Sequence, residues 1–201
     1  MVTAVGGVIW HKFEANRISL ATLPMFYVTG MQGAMNGPLY ASSKIVIMVR
    51  WNGEIAAELI QRYKITRWRS ISTMAIDLVS DPQIANYDLS SLKAIGGGGA
   101  AMPAPVAHKL KELTGLDYLE GYGLSETMAA THLNPPDQPR AQCLGIPVFN
   151  VKSCVWSPEK KTRLPPNHVG EILIAGPQVF LGYWQNPIDT EDAFVILEGT
   201  R

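Results

Sequence analysis

Over its first 120 residues the chain alternates short apolar runs with stretches of helical period, and this alternation restricts its fold more than any other feature. Residues 17–23 (RISLATL) form a compact apolar run closed by Pro24, and residues 44–49 (KIVIMV) form a second; both read as buried strands. Between them, residues 30–39 read as a helix loosened by glycine. Gly53–Tyr63 places apolar residues at 55, 56, 59, 60 and 63, the stripe of an amphipathic helix. Residues 66–71 are strand-like, and a helix is predicted to begin over 73–79. Residues 92–95 form a strand that runs into four glycines. Residues 103–113 form a helix with proline in its first turn and Gly115 just past its end, and 116–119 are again a strand. Strands alternating with helices predict βαβ units, a parallel sheet, and ligand sites at the carboxyl ends of its strands.

The pattern changes near Asn134, where Pro135, Pro136 and Pro139 interrupt it. Two β-rich runs follow, 148–156 and 169–175, separated by a charged turn, and the alternation in VGEILIA suits a half-exposed antiparallel strand. The expectation is an α/β fold: a parallel sheet flanked by helices over 1–141, then a small antiparallel β subdomain over 142–201.

A chain of 201 residues can bury a sizeable core, about 70% of its unfolded surface. Lys+Arg and Asp+Glu number 17 each, so no basic excess exists to track a phosphate backbone, and nucleic acid is not an expected partner. Cys143 and Cys154 make neither a metal template nor a secreted disulfide framework, which suggests reduced thiols and a cytoplasmic setting. No run of about 20 apolar residues predicts a transmembrane segment. The apolar N-terminus lacks the basic start and small-residue cleavage site of a signal peptide.

Three stretches could carry chemistry. Gly96-Gly97-Gly98-Gly99-Ala100-Ala101-Met102-Pro103 follows a strand and opens a helix, so it could lay bare backbone and free N–H groups against a ligand, or simply make a tight turn. Glu120-Gly121-Tyr122-Gly123-Leu124-Ser125-Glu126-Thr127 follows the next strand. It offers a ring, a hydroxyl and a carboxylate suited to a nucleotide with a divalent cation; the alternative is a helix start capped by Ser125. Leu23-Pro24-Met25-Phe26-Tyr27-Val28-Thr29-Gly30-Met31 could wall an apolar pocket or pack in a core. His11, His108, His132 and His168 show no metal spacing, and G-L-S-E-T lacks the second glycine of a nucleophile elbow.

With a fourth stretch, 169–179 (VGEILIAGPQV) followed by Gly182-Tyr183-Trp184 and Asn186-Pro187, these motifs occur in one order. Together they resemble the adenylate-forming enzymes, specifically the acyl-CoA synthetases (fatty acid–CoA ligases), over essentially the whole chain. The resemblance implies an enzyme that uses ATP and Mg²⁺ to convert a carboxylic acid to an acyl-adenylate, then transfers the acyl group to coenzyme A. It implies that Gly99, Ala100 and Ala101 lie against the adenine. Tyr122, between Gly121 and Gly123, would stack on the purine, with Ser125 on phosphate and Glu126 on Mg²⁺. Phe26, Tyr27, Met31 and Gly97 would lie beside the acyl group. Tyr27 departs from the family, which often has histidine there.

The resemblance also implies parts that are not in this sequence: a Pro-Lys-Gly phosphate loop before the first motif, a Thr-Gly-Asp after the fourth, and a C-terminal domain with a catalytic lysine. The chain is therefore expected to be an internal piece of a longer enzyme, inactive alone and prone to self-association. The weakly bulky GMQGAMNG (30–37) suggests an apolar tunnel and a medium- or long-chain fatty acid. Alternatives are an aryl-CoA ligase, a peptide-synthetase adenylation domain, and a non-catalytic nucleotide-binding or interaction module.

Overall fold

A computed structural model of the chain describes residues 1–197 and 199. The helices and strands in chain order are α1 (Val2–Trp10), β1 (Ile18–Ala21), α2 (Val28–Gly30), α3 (Gly37–Tyr40), β2 (Lys44–Ile47), α4 (Gly53–Tyr63), β3 (Arg67–Ser70), α5 (Ser72–Ser80), β4 (Ala94–Gly97), α6 (Ala104–Thr114), β5 (Tyr118–Leu124), β6 (Ala129–Leu133), β7 (Ile146–Pro147), β8 (Lys152–Ser157), β9 (Thr162–Arg163), β10 (Glu171–Ala175) and α7 (Pro187–Asp192). Strands β2-β1-β3-β4-β5-β6-β7 form one sheet, and β10-β8-β9 a second. Pairings from β2 through β5 are parallel, β6 and β7 join antiparallel, and the second sheet is antiparallel throughout. The expected α/β class holds. No described helix is long and apolar enough to cross a membrane.

The core lies on one face of the large sheet. Leu20, Trp68, Ile95 and Tyr118 point to it from four neighbouring strands, and α4, α5 and α6 cover them with Ile60, Leu78 and Leu110. The predicted α4 forms with the predicted bounds. Its start is capped by Asn52, whose side chain accepts from Ile55 N at 2.9 Å, and it ends at left-handed Lys64, φ 50°.

Three expectations need correction. Residues 44–49 are not a buried strand: β2 is the sheet's edge, and Ile47 is 63% exposed and Val49 93%. An apolar run does not by itself reveal whether a second neighbour covers it. The loosened helix over 30–39 is a helical run from 28 to 40 whose middle, Met31–Asn36, is a π-helix. Its glycines serve packing: a Cβ at Gly30 would overlap the Pro24 carbonyl, one at Gly33 the Arg69 side chain, and one at Gly37 would press on the Gln32 carbonyl. Ser125 does not cap a helix, because only one 3₁₀ turn, Ser125–Thr127, intervenes before β6. Thr127 Oγ1 closes that turn by accepting from Leu124 N at 2.9 Å.

The sequence reading assigned no element to α1 and none to β6. Gly6 and Gly7 dilute helical propensity in α1, yet Ala4 and Val8, one turn apart, are buried, and Trp10 Nε1 donates to the Asn134 carbonyl at 3.1 Å. His132 on β6 links the two sheets. Its Nδ1 shares a 3.0 Å hydrogen bond with Thr131 Oγ1 and its Nε2 a 2.9 Å one with Ser153 Oγ on β8.

Two outcomes are expected from this packing. Leu78→Ala should cost about 2–5 kcal/mol in urea unfolding, against about 0.5 kcal/mol or less for exposed Val49→Ala; equal costs would contradict the placement of the core. Burial holds the His132 pKa below the ordinary histidine value of 6.5. Below that pH the unfolded chain binds a proton that the folded chain resists, so stability falls as pH falls. His132→Gln should therefore flatten the drop in Tm between about pH 7 and pH 5, and an unchanged acid limb would contradict it.

Candidate functional site

The carboxyl ends of β4 and β5 lie side by side and frame a cleft of about 520 Å³. The carboxyl end of β4 is squeezed between β3 and β5 so closely that only glycine fits at 96 and 97. A Cβ at Gly97 would overlap the Ser70 carbonyl, and one at Gly98 would come within 2.6 Å of the Gly121 carbonyl. Crowding by the adjacent strands, not a tight turn, therefore accounts for Gly96 through Gly98. Gly99 differs: open space surrounds it except for one ordinary contact with Ile71, and its φ of 91° turns the chain toward the cleft. Gly99, Ala100 and Ala101 then line the cleft wall, with Gly97 at its root.

One buried side chain holds this turn in place. Glu120, 6% exposed on β5, accepts from Met102 N at 2.9 Å through Oε1 and from Gln142 N at 2.8 Å through Oε2. The same carboxylate therefore ties the glycine turn to the segment that leads into β7. The sequence signal for Glu120 is a carboxylate inside an otherwise apolar strand end, and its role emerges only from what it faces.

β5 continues past its predicted end, so Gly121, Tyr122 and Gly123 are strand residues on the cleft wall. The Tyr122 ring meets His132 edge-on with centroids 6.0 Å apart. A Cβ at Gly123 would overlap the Ala129 carbonyl, so glycine lets β6 fold back against β5. Ser125 and Glu126 also line the cleft.

The fourth motif docks on that turn. Tyr183 Oη donates to Glu126 Oε1 at 2.8 Å, and Phe180 N donates to the Glu126 carbonyl at 2.7 Å. The hydrogen bond to the carboxylate pushes the Tyr183 phenol above its ordinary pKa. Rings brace the segment: Phe180 lies edge-on to Tyr183 and stacks on Phe194.

The third motif divides. Tyr27 lines the cleft, whereas Phe26 is 87% exposed and, like Met31, does not line it. Gln178 lines it instead, buried, with its Oε1 unpartnered among the described residues. Also unanticipated are His11, Arg67 and Arg69 at the cleft's inner end. The alternation in Arg67-Trp68-Arg69-Ser70 was their signal, since period two puts both arginines on the face opposite Trp68.

Among the described residues no three His, Cys, Asp or Glu side chains cluster as a metal cage. Glu126 is a single carboxylate. That fits Mg²⁺ held jointly with phosphate oxygens and water, the usual way this ion is bound beside a nucleotide.

Comparison with known proteins accords with this geometry. The AMP-binding enzyme family matches residues 1–184. The chain is 32% identical over 183 residues to a long-chain-fatty-acid–CoA ligase of Bacillus subtilis, covering 90% of this chain and 32% of that protein. It is 28% identical over 184 residues to a 4-coumarate–CoA ligase of Pinus taeda, covering 89% and 34%. The fold superposes on ATP-bound MatB from Rhodopseudomonas palustris with a TM-score of 0.88 at 26% identity, over 96% of this chain and 38% of that one. The chain thus spans about a third of the length of the curated relatives it matches. Matched along nearly all its length, and with its four motifs gathered on one fold, the chain belongs to the AMP-binding enzyme family.

Proposed function

We propose that this chain supplies the adenylate-forming cleft of an acyl-CoA synthetase, in which a carboxylic acid reacts with ATP to give an acyl-adenylate and the acyl group then passes to coenzyme A. The observation that carries this reading is convergence. The Gly99–Ala101 strip, the Tyr122 ring and the Ser125–Glu126 turn come from separate elements and line one cleft at the carboxyl ends of parallel strands.

The chemistry follows from that placement. A carboxylate oxygen of the acid attacks the α-phosphorus of ATP. A new P–O bond forms, the bond to the β-phosphate oxygen breaks, and pyrophosphate leaves. The CoA thiol then attacks the acyl carbon, the thiol proton is lost to solvent or base, and AMP departs. The first step gathers negative charge on phosphate oxygens and the second on the acyl carbonyl oxygen and then the departing AMP, so the protein's part is positioning and electrostatic stabilisation. The Gly99–Ala101 backbone, bare of bulky side chains, would receive the purine edge, and Tyr122 would offer it a ring face. Ser125 can donate to a phosphate oxygen. Glu126 would hold Mg²⁺, which supplies charge neutralisation when bound, and Tyr183 orients that carboxylate from behind.

The finer expectation of a medium- or long-chain fatty acid loses its sequence support. The glycines of 30–37 that suggested a tunnel are taken up by Pro24, Arg69 and Gln32. The relatives divide between fatty acid and 4-coumarate ligases, so the acid must be read from the residues that line this cleft.

ATP–pyrophosphate exchange by the full-length gene product tests the reading; absence of exchange with every carboxylic acid offered would refute it. Tyr122→Ala should weaken ATP use by about 1–3 kcal/mol in kcat/KM, the scale of base–aromatic stacking, and an unchanged value would remove the ring from the nucleotide site. Glu126→Gln keeps the acceptor for Tyr183 but not the charge. Adenylation should fall sharply and recover only in part at raised Mg²⁺, whereas normal activity at ordinary Mg²⁺ would take Glu126 out of the metal site.

A further inference from the structure

β3 lies inside the sheet with a parallel strand on either side. Strands in that setting are ordinarily apolar on both faces, because both are covered. Trp68 obeys on the core face, but Arg67 and Arg69 occupy the other. The positions around them are small. Ser19 and Ala21 on β1, and Ala94 and Gly96 on β4, are their ladder partners, and a Cβ at Gly33 would overlap Arg69 Cδ. Small residues at five positions leave room for two guanidinium stems.

Among the described residues no carboxylate pairs with these cations. Among the described residues neither arginine forms an ion pair: Arg67 lies over the Phe13 ring, 4.0 Å from its centroid, and Arg69 donates to His11 Nε2 at 3.4 Å. A guanidinium only donates, so Nε2 accepts, and neutral His11 carries its proton on Nδ1. Burial, then the fields of Arg67 and Arg69, hold the His11 pKa well below the ordinary value, which keeps the ring neutral near pH 7. His11 Nδ1, Arg69 Nε and Ser19 Oγ are three of the four sealed side-chain atoms that lack a hydrogen-bond partner among the described residues. The result is two adjacent positive charges and a set of unused donors, a costly arrangement without an anion.

The cluster opens on the cleft. His11, Arg67, Arg69 and Gly33 line it together with the glycine strip. Arg69 pairs in register with Gly96, one residue before Gly97. At about 3.3 Å per residue and about 4.8 Å between strands, this places the Arg69 Cα about 5 Å from Gly96 and about 11 Å from Gly99, where the strip begins, a gap of the order that a short carbon chain spans.

We infer that the acid activated in this cleft carries a second carboxylate at its far end, held by Arg69 with Arg67 and His11, so that the substrate is a short dicarboxylic acid and not a plain fatty acid. This rests on the acyl-CoA synthetase reading above and names its substrate class. The planar fork of Arg69 matches a carboxylate in a bidentate manner, and the donors of Arg67 and His11 complete its shell. One carboxylate reacts at the α-phosphate while the other stays anchored at β3. A methyl-ended acid of the same length would leave both guanidinium groups unanswered.

The test is ATP–pyrophosphate exchange by the full-length gene product with matched pairs, butyrate against succinate and hexanoate against adipate. At least one diacid should exceed its monoacid in kcat/KM by about tenfold or more, the scale of a charge-assisted hydrogen bond. Arg69→Met should reduce that ratio by about thirtyfold, and Arg69→Lys, which keeps the charge but not the fork, by less. A wild-type preference for the monoacid in both pairs, a ratio unmoved by Arg69→Met, or an effect of that variant on the ATP KM alone would each overturn the inference. If Arg69→Met does not fold, the ratio in Arg69→Lys decides: a fall supports the inference and an unchanged ratio overturns it. If no acid supports exchange, the ligase reading fails by itself. Thermal shift with succinate and adipate then judges the cation site: stabilisation that Arg69→Lys weakens sustains it, and none overturns it.

Discussion

The cleft depends on one buried carboxylate. Glu120 sits at the end of a strand where nothing apolar could do its work, because two backbone N–H groups from different segments point at it. A carboxyl group that accepts two short N–H bonds is satisfied in a region that would otherwise expel it. Through these contacts the glycine turn, β5 and the segment before β7 become one rigid frame. Tyr122 and the Ser125–Glu126 turn follow Glu120 in sequence and inherit their positions from it.

The sheet divides labour between its faces. Below β3 a stacked Trp51–Trp68 pair, with centroids 5.3 Å apart, anchors the apolar core. Above it lie charged side chains and the cleft. Each residue of Arg67-Trp68-Arg69-Ser70 is assigned to a face by strand geometry alone, so a single four-residue strand supports the apolar core on one side and lines the cleft on the other.

Much of this was legible in the sequence, and the exceptions have physical causes. The amphipathic stripe of Gly53–Tyr63 and its boundaries are local properties, and they came through. The four-glycine run read as a turn, but its first two residues belong to β4, and their cause, lateral crowding by β3 and β5, is a relation between strands distant in sequence. β2 read as buried because an apolar run does not record how many neighbours it has. β6 was missed because its hairpin with β5 passes through Ser125–Thr127 and two left-handed residues, Met128 and Ala129, in place of an Asn-Gly turn. In the candidate site, Tyr122, Ser125 and Glu126 stand out as motif residues. Glu120, Gln178 and the arginines of β3 do not, since their significance lies in what each faces.

The hydrogen bond from Tyr183 to Glu126 spans 57 residues of chain. During synthesis the glycine strip and Tyr122 leave the ribosome first, and Glu126 waits for a phenol that emerges several seconds later at ordinary translation rates of about 5–20 residues per second. The turn that carries Glu126 is thus complete only once the chain has been made past the second sheet. A product ended before Tyr183 would keep the glycine strip and Tyr122 but leave the Glu126 carboxylate without the phenol that holds it.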